Sequence, residues 1–418
     1  MSSDFDGKVI VLGVTGSIAA YKACEIASRL VEAGATVLPV LTAGGREFVG
    51  AASLEGITGQ RVITEMFEPT QNPDIEHIAV ARRADLFLIA PATANILAKA
   101  AHGLADDWLT TTLLATRAPI LFAPAMNTMM YQHPATQDNI ALLKSRGCRF
   151  VGPGTGALAC GEFGPGRLIE TPAILESARI ALRNDRSLAG KRVLITSGGN
   201  REPIDPVRYI GNRSSGKMGH AIALEALMRG AEVTVVSGPC EVPPPDLAQI
   251  IDAPTALSML DAVHTCLPQA DIFIAAAAVA DYRVDHPAQE KQKRDEGGLH
   301  VDLVPNPDIA AHVGLSRRHG QIAVGFAAET GNILENAAAK LGKKHLDLIV
   351  ANDVKSADSG FGTETTRAWF LAPGCEPEAL PLVTKTELAR RLFDRIASQG
   401  TDSRNTPLPA IITPPLLD

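Results

Sequence analysis

The sequence predicts an α/β protein of two Rossmann-like, three-layer domains with mostly parallel sheets. Three observations carry that prediction. The chain has 418 residues, beyond the roughly 250–300 at which a single hydrophobic core stops growing. Each half opens with the same series of strand, Gly-containing turn, helix and strand. The strand segments are continuous apolar runs, as expected where helices cover a parallel sheet on both faces.

The elements follow in order. Val9 to Val14 is an apolar strand, Thr15-Gly16-Ser17 turns the chain, Ile18 to Glu32 has helical periodicity, and Ala35 to Leu41 returns as a strand. Phe87 to Ala90 and Ile120 to Ala123 read as further strands, and Pro172 to Leu182 as a short helix. Val193 to Thr196, Gly219 to Arg229 and Glu232 to Ser237 then repeat the opening series. The stretches Ala84 to Ala90 and Ala270 to Ala276 are alike, which fits two such units and equally fits generic βαβ patterning. These signals place a first domain at 1–183, a linker at 184–190, a second domain at 191–398 and a Pro-rich tail at 399–418. Two polar loops interrupt the second domain: Asp285 to Gly298, expected to be mobile, and Lys355 to Thr366. The tail from Gln399 onward reads as disordered or loosely docked.

A net charge of −7 argues against generic nucleic-acid binding, which requires a basic stripe to displace counterions. The six cysteines include no C-x-x-C pair, against a zinc ribbon or a disulfide scaffold. Met1 to Lys8 is polar and does not read as a signal peptide. No apolar run reaches the roughly 18 residues of a membrane span. The expected compartment is a reducing cytoplasm.

In the first half, Gly13-Val14-Thr15-Gly16-Ser17 is a Gly-rich turn without the full G-x-G-x-x-G spacing. The second strand ends Leu41-Thr42 rather than in the acidic residue that holds a dinucleotide ribose. A mononucleotide such as FMN therefore fits better than NAD. Two further strand ends supply polar groups, Pro91-Ala92-Thr93-Ala94-Asn95 and Pro124-Ala125-Met126-Asn127-Thr128-Met129-Met130-Tyr131. Asp106-Asp107-Trp108 falls near them in the sequence with no assigned role. Cys160 stands in the flap-like string Gly154 to Arg167, where a cysteine is a better reactive candidate than on an apolar helix. Cys24, on such a helix, reads as packing.

The second half carries the densest signal, Gly198 to Gly219. A strand ends in a Gly pair, and Ser214-Ser215-Gly216 opens a helix. Helix amino ends offer unpaired N–H groups and a positive dipole to an anion. Arg201, Arg208, Arg213, Asn212 and Lys217 crowd the same stretch, and guanidinium forks and ammonium groups suit carboxylates and phosphates.

The second-half string and the motifs around His77, Asn127 and Cys160 resemble those of the bacterial bifunctional family that fuses phosphopantothenoylcysteine decarboxylase to phosphopantothenate–cysteine ligase. The resemblance covers nearly the whole chain apart from its tails. It implies a flavodoxin-like flavoprotein domain followed by a nucleotide-binding ligase domain. It implies FMN held by Gly16, Ser17, Thr42, Pro91, Thr93, Ala94, Asn95 and Met126. Cys160 would be the proton donor, His77 would assist oxidation and decarboxylation, and Asn127 would hold the substrate carboxylate. In the ligase half, Asn212 would orient an acyl-cytidylate and Arg208 would assist its conversion with cysteine. CTP would be bound by Ala275, Ala276, Ala277, Asp281, Lys291, Pro307, Asp308, Ile309, Ala310, Phe326, Lys340 and Lys344, with Mg²⁺ as its counterion and no metal ligands assigned. The sequence departs from the family pattern at Tyr131, Gln292 and Pro305. The implied substrates are 4′-phosphopantothenate, cysteine and CTP, and the implied assembly is a homo-oligomer, a dodecamer. A flavin- or NAD-linked oxidoreductase would also explain two Rossmann-like units but leaves Arg201 to Lys217 without a purpose. A flavin-binding protein without catalysis would not need His77, Asn127 and Cys160 together.

Overall fold

Alternation of side chains across each pleat explains why the strands are apolar throughout. In the first unit, Ile10, Leu12, Leu86 and Leu88 face one core with Ile26, Leu30 and Ile174. Val11, Phe87 and Ile89 face the opposite core with Ile96, Trp108 and Ile140. Past its first residue, each of β1, β2 and β4, the strands at Val9–Val14, Thr36–Leu41 and Ile120–Pro124, is thus buried throughout by one helical layer or the other. The computed structural model describes residues 4–66, 76–183, 185–291, 293, 299–329, 331–356, 358–360 and 362–402. Apart from the segment Pro245–Leu247, the chain divides into two compact units between Asn184 and Asp185.

The first unit contains β1 (Val9–Val14), α1 (Lys22–Glu32), β2 (Thr36–Leu41), α2 (Ala43–Arg46), α3 (Ala51–Thr58), α4 (Glu76–Arg83), β3 (Leu86–Ala92), α5 (Ala94–His102) and α6 (Trp108–Ala115). It continues with β4 (Ile120–Pro124), α7 (Thr128–Gln132), α8 (Pro134–Ser145), β5 (Arg149–Phe150), the hairpin β6 (Gly154–Ala157) and β7 (Phe163–Arg167), and α9 (Thr171–Leu182). The sheet order is β2-β1-β3-β4-β5, all parallel, with Ile10 opposite Leu86 and Phe87 opposite Ile120. This is the flavodoxin-like order, whose ligand crevice lies at the carboxyl ends of β1 and β3 where the winding reverses.

The second unit has β8 (Arg192–Ser197), β9 (Glu202–Pro203), β10 (Tyr209–Ile210), α10 (Lys217–Met228), β11 (Glu232–Ser237), β12 (Gln249–Asp252), α11 (Ala256–Cys266) and β13 (Ile272–Ala275). After these come β14 (Tyr282–Val284), β15 (Leu303–Pro305), α12 (Ile309–Ser316), β16 (Ile322–Glu329), α13 (Ile333–Lys343), β17 (Leu348–Asp353), β18 (Thr365–Thr366), β19 (Ala368–Leu371), β20 (Glu378–Ala379), β21 (Val383–Thr384) and α14 (Lys385–Asp402). The main sheet runs β12-β11-β8-β13-β16-β17-β19-β20. It is parallel as far as β17, and β19 and β20 are added antiparallel. Ile195, Ile274 and Val324 pack on α10 and α14, while Leu194, Phe273 and Ala323 pack on the opposite helical layer.

The buried Arg229, just past α10, locks that helix to α14. Its Nε donates to Glu225 at 2.7 Å, and its Nη2 donates to Asp394 Oδ1 at 2.7 Å and to the Arg390 carbonyl at 2.9 Å. A buried guanidinium without such partners would be strongly unfavourable.

Three sequence expectations require correction or completion. Helix α14 extends through Asp402, so the tail does not begin at Gln399; the masking of propensity by the preceding amphipathic helix makes that boundary hard to read. Lys355 to Thr366 is docked in its described part: Ser359 is buried, its Oγ donates to the Asp353 carbonyl at 2.6 Å and accepts the Arg367 N–H at 2.7 Å, and β18 pairs with β21. Of Asp285 to Gly298, the Ala288 N–H bonds the Ile204 carbonyl at 2.9 Å. Residues 292 and 294–298, on which part of the mobility expectation falls, lie outside the described residues.

Candidate active sites

In the first unit the polar groups gather where the sheet topology places a ligand. Thr15, buried at the end of β1, donates from Oγ1 to the Pro91 carbonyl at 2.7 Å and accepts the Thr93 N–H at 3.1 Å. This ties the turn after β1 to the turn after β3. Ser17 caps the short 3-10 turn Ile18–Tyr21, Thr42 caps α2 and Thr93 caps α5. Three helix amino ends therefore meet the carboxyl edge of the sheet beside Gly16, Pro91, Ala94 and Asn95. A Cβ at Gly16 would stand 3.0 Å from the Gly44 Cα, so the two turns approach as closely as backbone allows. Glycine-lined closeness with hydroxyls on its rim fits a flat ring system carrying a phosphate.

A second cluster forms at the end of β4. Asn127 caps α7 through Oδ1, which accepts the Met129 N–H at 2.8 Å. That bond fixes the amide so that Nδ2 faces the β6–β7 hairpin, donating to Glu162 Oε2 at 2.7 Å with Cys160 Sγ at 3.6 Å. The hairpin is docked by the Met126 N–H on the Gly166 carbonyl at 2.9 Å. Cys160 is exposed, whereas Cys24 is partly buried and burial pushes its thiol up from the usual range.

Asn127 and Cys160 are thus brought together, and His77 is not joined to them. His77 is half-buried on α4, which packs against α6, and among the described residues no hydrogen bond links it to Asn127 or Cys160. Asp106 and Asp107 serve structure: Asp107 forms a capping box with Thr110 at α6, and Lys99 pairs with Asp106 at 2.7 Å. Glu162 is the residue that the sequence reading left without a role, although it sits two positions after Cys160.

In the second unit, Gly199, Arg201, Tyr209, Asn212, Arg213, Ser214, Ser215 and Cys240 line a cleft of about 470 Å³, a size suited to small-molecule ligands. The Arg201 guanidinium lies 4.9 Å from the Tyr209 ring centre. The string Gly198 to Gly219 and the strand end Ala275 to Asp281 converge on two residues. Asn212 Nδ2 donates to the Val279 carbonyl at 3.0 Å. The buried Asn200 accepts the Ala280 N–H at 2.7 Å, and Asn306 Nδ2 donates to the Ala280 carbonyl at 2.9 Å. Asn200 also donates to the buried Glu202, which accepts the Ala256 N–H at 2.8 Å. These buried polar side chains, which sequence reasoning did not single out, hold the loops together.

Ala276 and Ala277 bond Thr196 through their N–H groups at 3.1 and 3.3 Å, continuing the line of Ala275 at the edge of β13. Asp281 is exposed next to them. Asp308 caps α12, following Pro307 and preceding Ile309 and Ala310, and pairs with Lys344 at 3.0 Å. Lys340 pairs with Glu329 at 2.7 Å, and Phe326 is half-buried on β16. Ser197 Oγ, Asn306 Oδ1 and Asn352 Oδ1 are buried with no hydrogen-bond partner among the described residues.

Arg208 does not line the cleft. Its guanidinium forks onto the buried Asp205, with Nε and Nη2 at 3.0 and 2.6 Å from Oδ2. Lys217 bonds the Gly362 carbonyl at 2.7 Å and Glu364. Lys291 is exposed, and among the described residues no hydrogen bond joins it to Asn212 or to the Ala275 strand end.

Family models match the two halves of the chain separately. A family model described as Flavoprotein matches residues 1–181, and one described as DNA/pantothenate metabolism flavoprotein C-terminal domain matches residues 188–399. The Coenzyme A biosynthesis bifunctional protein CoaBC of Vibrio cholerae is 44% identical over 396 residues, covering 94% of this chain and 98% of that protein. Its namesake from Escherichia coli is 44% identical over 398 residues, covering 94% and 97%, and that from Mycobacterium tuberculosis is 43% identical over 406 residues, covering 94% and 96%. The chain is a bifunctional enzyme that joins a flavoprotein decarboxylase domain to a ligase domain. It belongs to the CoaBC family of coenzyme A biosynthesis proteins. No helix among the described residues is long and apolar enough to cross a membrane.

Proposed function

We propose that the second unit activates 4′-phosphopantothenate with CTP as an acyl-cytidylate and condenses it with cysteine, and that the first unit decarboxylates the resulting phosphopantothenoylcysteine to 4′-phosphopantetheine. The observation that carries this reading is the pairing of Asn127 and Cys160 in one unit with the Asn212 cleft in the other.

FMN is the flavin in this reading, and when bound it supplies the two-electron acceptor and donor that make loss of the carboxyl group accessible. Gly16, Ser17, Thr42, Pro91, Thr93, Ala94, Asn95 and Met126 would hold it, at the three capped turns and the end of β4. Asn127 Nδ2 grips the substrate carboxylate, and Cys160 delivers a proton to the substrate carbon after CO₂ departs. His77 assists the early steps, and the assembly in this reading is a homo-oligomer, a dodecamer by family resemblance.

In the ligase, Asn212 orients the acyl-cytidylate and Arg208, held rigid by Asp205, assists attack by the cysteine amine. The base and ribose of CTP take the edge formed by Ala275, Ala276, Ala277 and Asp281. Lys291, Lys340 and Lys344 serve the triphosphate, beside Pro307, Asp308, Ile309, Ala310 and Phe326. Lys340 and Lys344 must exchange their present carboxylate partners for phosphate oxygens. Mg²⁺ enters this reading as the counterion of the triphosphate, held mostly by phosphate oxygens and water. Besides further copies of this chain, the partners in this reading are the small-molecule substrates, and it assigns no role to nucleic acid or membrane.

The test is mass spectrometry of the flavin-loaded protein incubated with 4′-phosphopantothenate, cysteine and Mg²⁺, with CTP, with ATP or with neither. Phosphopantetheine formed with CTP alone supports the whole reading. Absence of both phosphopantothenoylcysteine and its decarboxylated product overturns it.

A further inference from the structure

Asn127 already holds a carboxylate. The turn between β6 and β7 is closed by the Leu158 N–H on the Glu162 carbonyl at 2.8 Å and by the Gly161 N–H on the Leu158 carbonyl at 2.9 Å. This turn brings both Cys160 and Glu162 to the Asn127 amide. Because Asn127 Oδ1 is engaged by the Met129 N–H, the Nδ2 group is the donor that faces the hairpin, and Glu162 Oε2 takes it at 2.7 Å. The neighbouring hairpin cation, Arg167, is committed to Glu170 at 2.7 Å, and among the described residues Glu162 has no ion pair. Thr128 Oγ1, next to Asn127 and against Gly164 of the same hairpin, is buried without a hydrogen-bond partner. That cost is relieved when the hairpin lifts.

We propose that Glu162 is a built-in stand-in for the substrate carboxylate. It occupies the Asn127 amide whenever the substrate's own carboxylate is absent, and it acts as a positioning residue for Cys160. The inference rests on the reading of Asn127 as the carboxylate holder. Two carboxylates on the two N–H groups of one amide would stand close enough to repel each other, so an incoming substrate carboxylate drives Glu162 off. Displacing Glu162 moves the hairpin segment that bears Cys160, and arrival of the carboxylate is thereby coupled to placement of the proton donor. Once CO₂ has left, the product has no carboxylate to compete, and Glu162 returns to Asn127. Glu162 thus weakens binding of the carboxylate-bearing substrate and leaves binding of the decarboxylated product unchanged.

The experiment uses the flavin-loaded full chain and two thiol-free probes, followed by titration of the flavin absorbance. One probe is phosphopantothenoylserine, which keeps the carboxylate; the other is its decarboxylated ethanolamine counterpart. Glu162→Gln is expected to tighten the serine probe about three- to tenfold, the scale of losing one charge-assisted competitor. Binding of the ethanolamine probe should stay within about twofold. Glu162→Asp, which keeps the charge, should restore the wild-type ratio. Equal shifts for both probes, as a general loosening of the hairpin would give, or no shift for either, overturn the proposal. CO₂ release from phosphopantothenoylcysteine by the wild type is measured separately. Its absence would remove the decarboxylase reading, whereas the probe ratio reads Glu162 by itself.

Discussion

Lys217 and Glu364, 147 positions apart in sequence, meet as an ion pair at the first residue of α10. Lys217 also bonds the Gly362 carbonyl, and Gly362 lines the cleft of the second unit. Lys385 donates to the neighbouring Thr363 carbonyl at 2.5 Å, and burial, reinforced by Lys217, draws its ammonium below the usual lysine range. Two cations thus surround one exposed carboxylate at the edge of the cleft. Lys217→Gln is expected to raise KM for a phosphorylated ligase substrate about tenfold, and Glu364→Gln to lower it about two- to fivefold by removing a competitor. Steady-state ligase kinetics with 4′-phosphopantothenate and CTP varied in turn identify which substrate feels the pair; unchanged KM values for both would show that the pair is only structural.

Separate variants should divide the two activities. Cys160→Ser keeps the hairpin but replaces the thiol, and phosphopantetheine formation should fall at least about 100-fold while the decarboxylated, still oxidised intermediate accumulates. Asn212→Asp places a carboxylate against the Val279 carbonyl, where an amide now donates. Acyl-cytidylate should then build up and the decarboxylase should act normally on supplied phosphopantothenoylcysteine. Quantifying the three species by mass spectrometry checks both.

Gly219 lies in the first turn of α10, where an added Cβ would stand 2.0 Å from Ser197 Oγ. Gly219→Ala must push the helix away from β8, at a cost of about 1–3 kcal/mol. The expected thermal-melting result is a lower transition for the second unit with unchanged flavin release from the first. A single unshifted transition would mean that α10 can slide at no cost.

Glu387 near the start of α14 is held at about 2, well below the usual carboxylate range, chiefly by its hydrogen bond from Arg390 and then by that from Arg391. A lowered carboxylate pKa stabilises the folded state fully above the unfolded value near 4.5 and loses that effect as pH falls toward about 2. Glu387→Gln should therefore cost about 1 kcal/mol at neutral pH, a figure discounted for the exposure of the arginines. The difference from wild type should close between pH 4.5 and 2, as followed by denaturant unfolding across that range.

Much of this architecture is legible in the chain because parallel strands bury both faces. Ile10 and Val11 are apolar for different neighbours, so the run has no polar interruption to confuse its reading. Asn127 and Cys160 are legible as motif residues, but the meeting of Asn127 with Glu162 across 35 positions depends on how the hairpin folds back. Asn200 and Glu202 look like solvated loop residues in sequence. They are buried because Ala280 and Ala256 supply backbone groups from distant strand and helix ends. The pairing of Arg208 with Asp205 is close in sequence, yet only the turn geometry shows that the guanidinium is held on that buried carboxylate.

The bond from Arg229 to Asp394 spans 165 residues, and it has a consequence for how the protein is made. The strands of the flavoprotein sheet all lie before Asn184, whereas α10 waits for Arg390 and Asp394 before its buried guanidinium finds its partners. The two helices therefore cannot settle separately, and the second unit gains its buried cation and both of its flanking helices in one cooperative step.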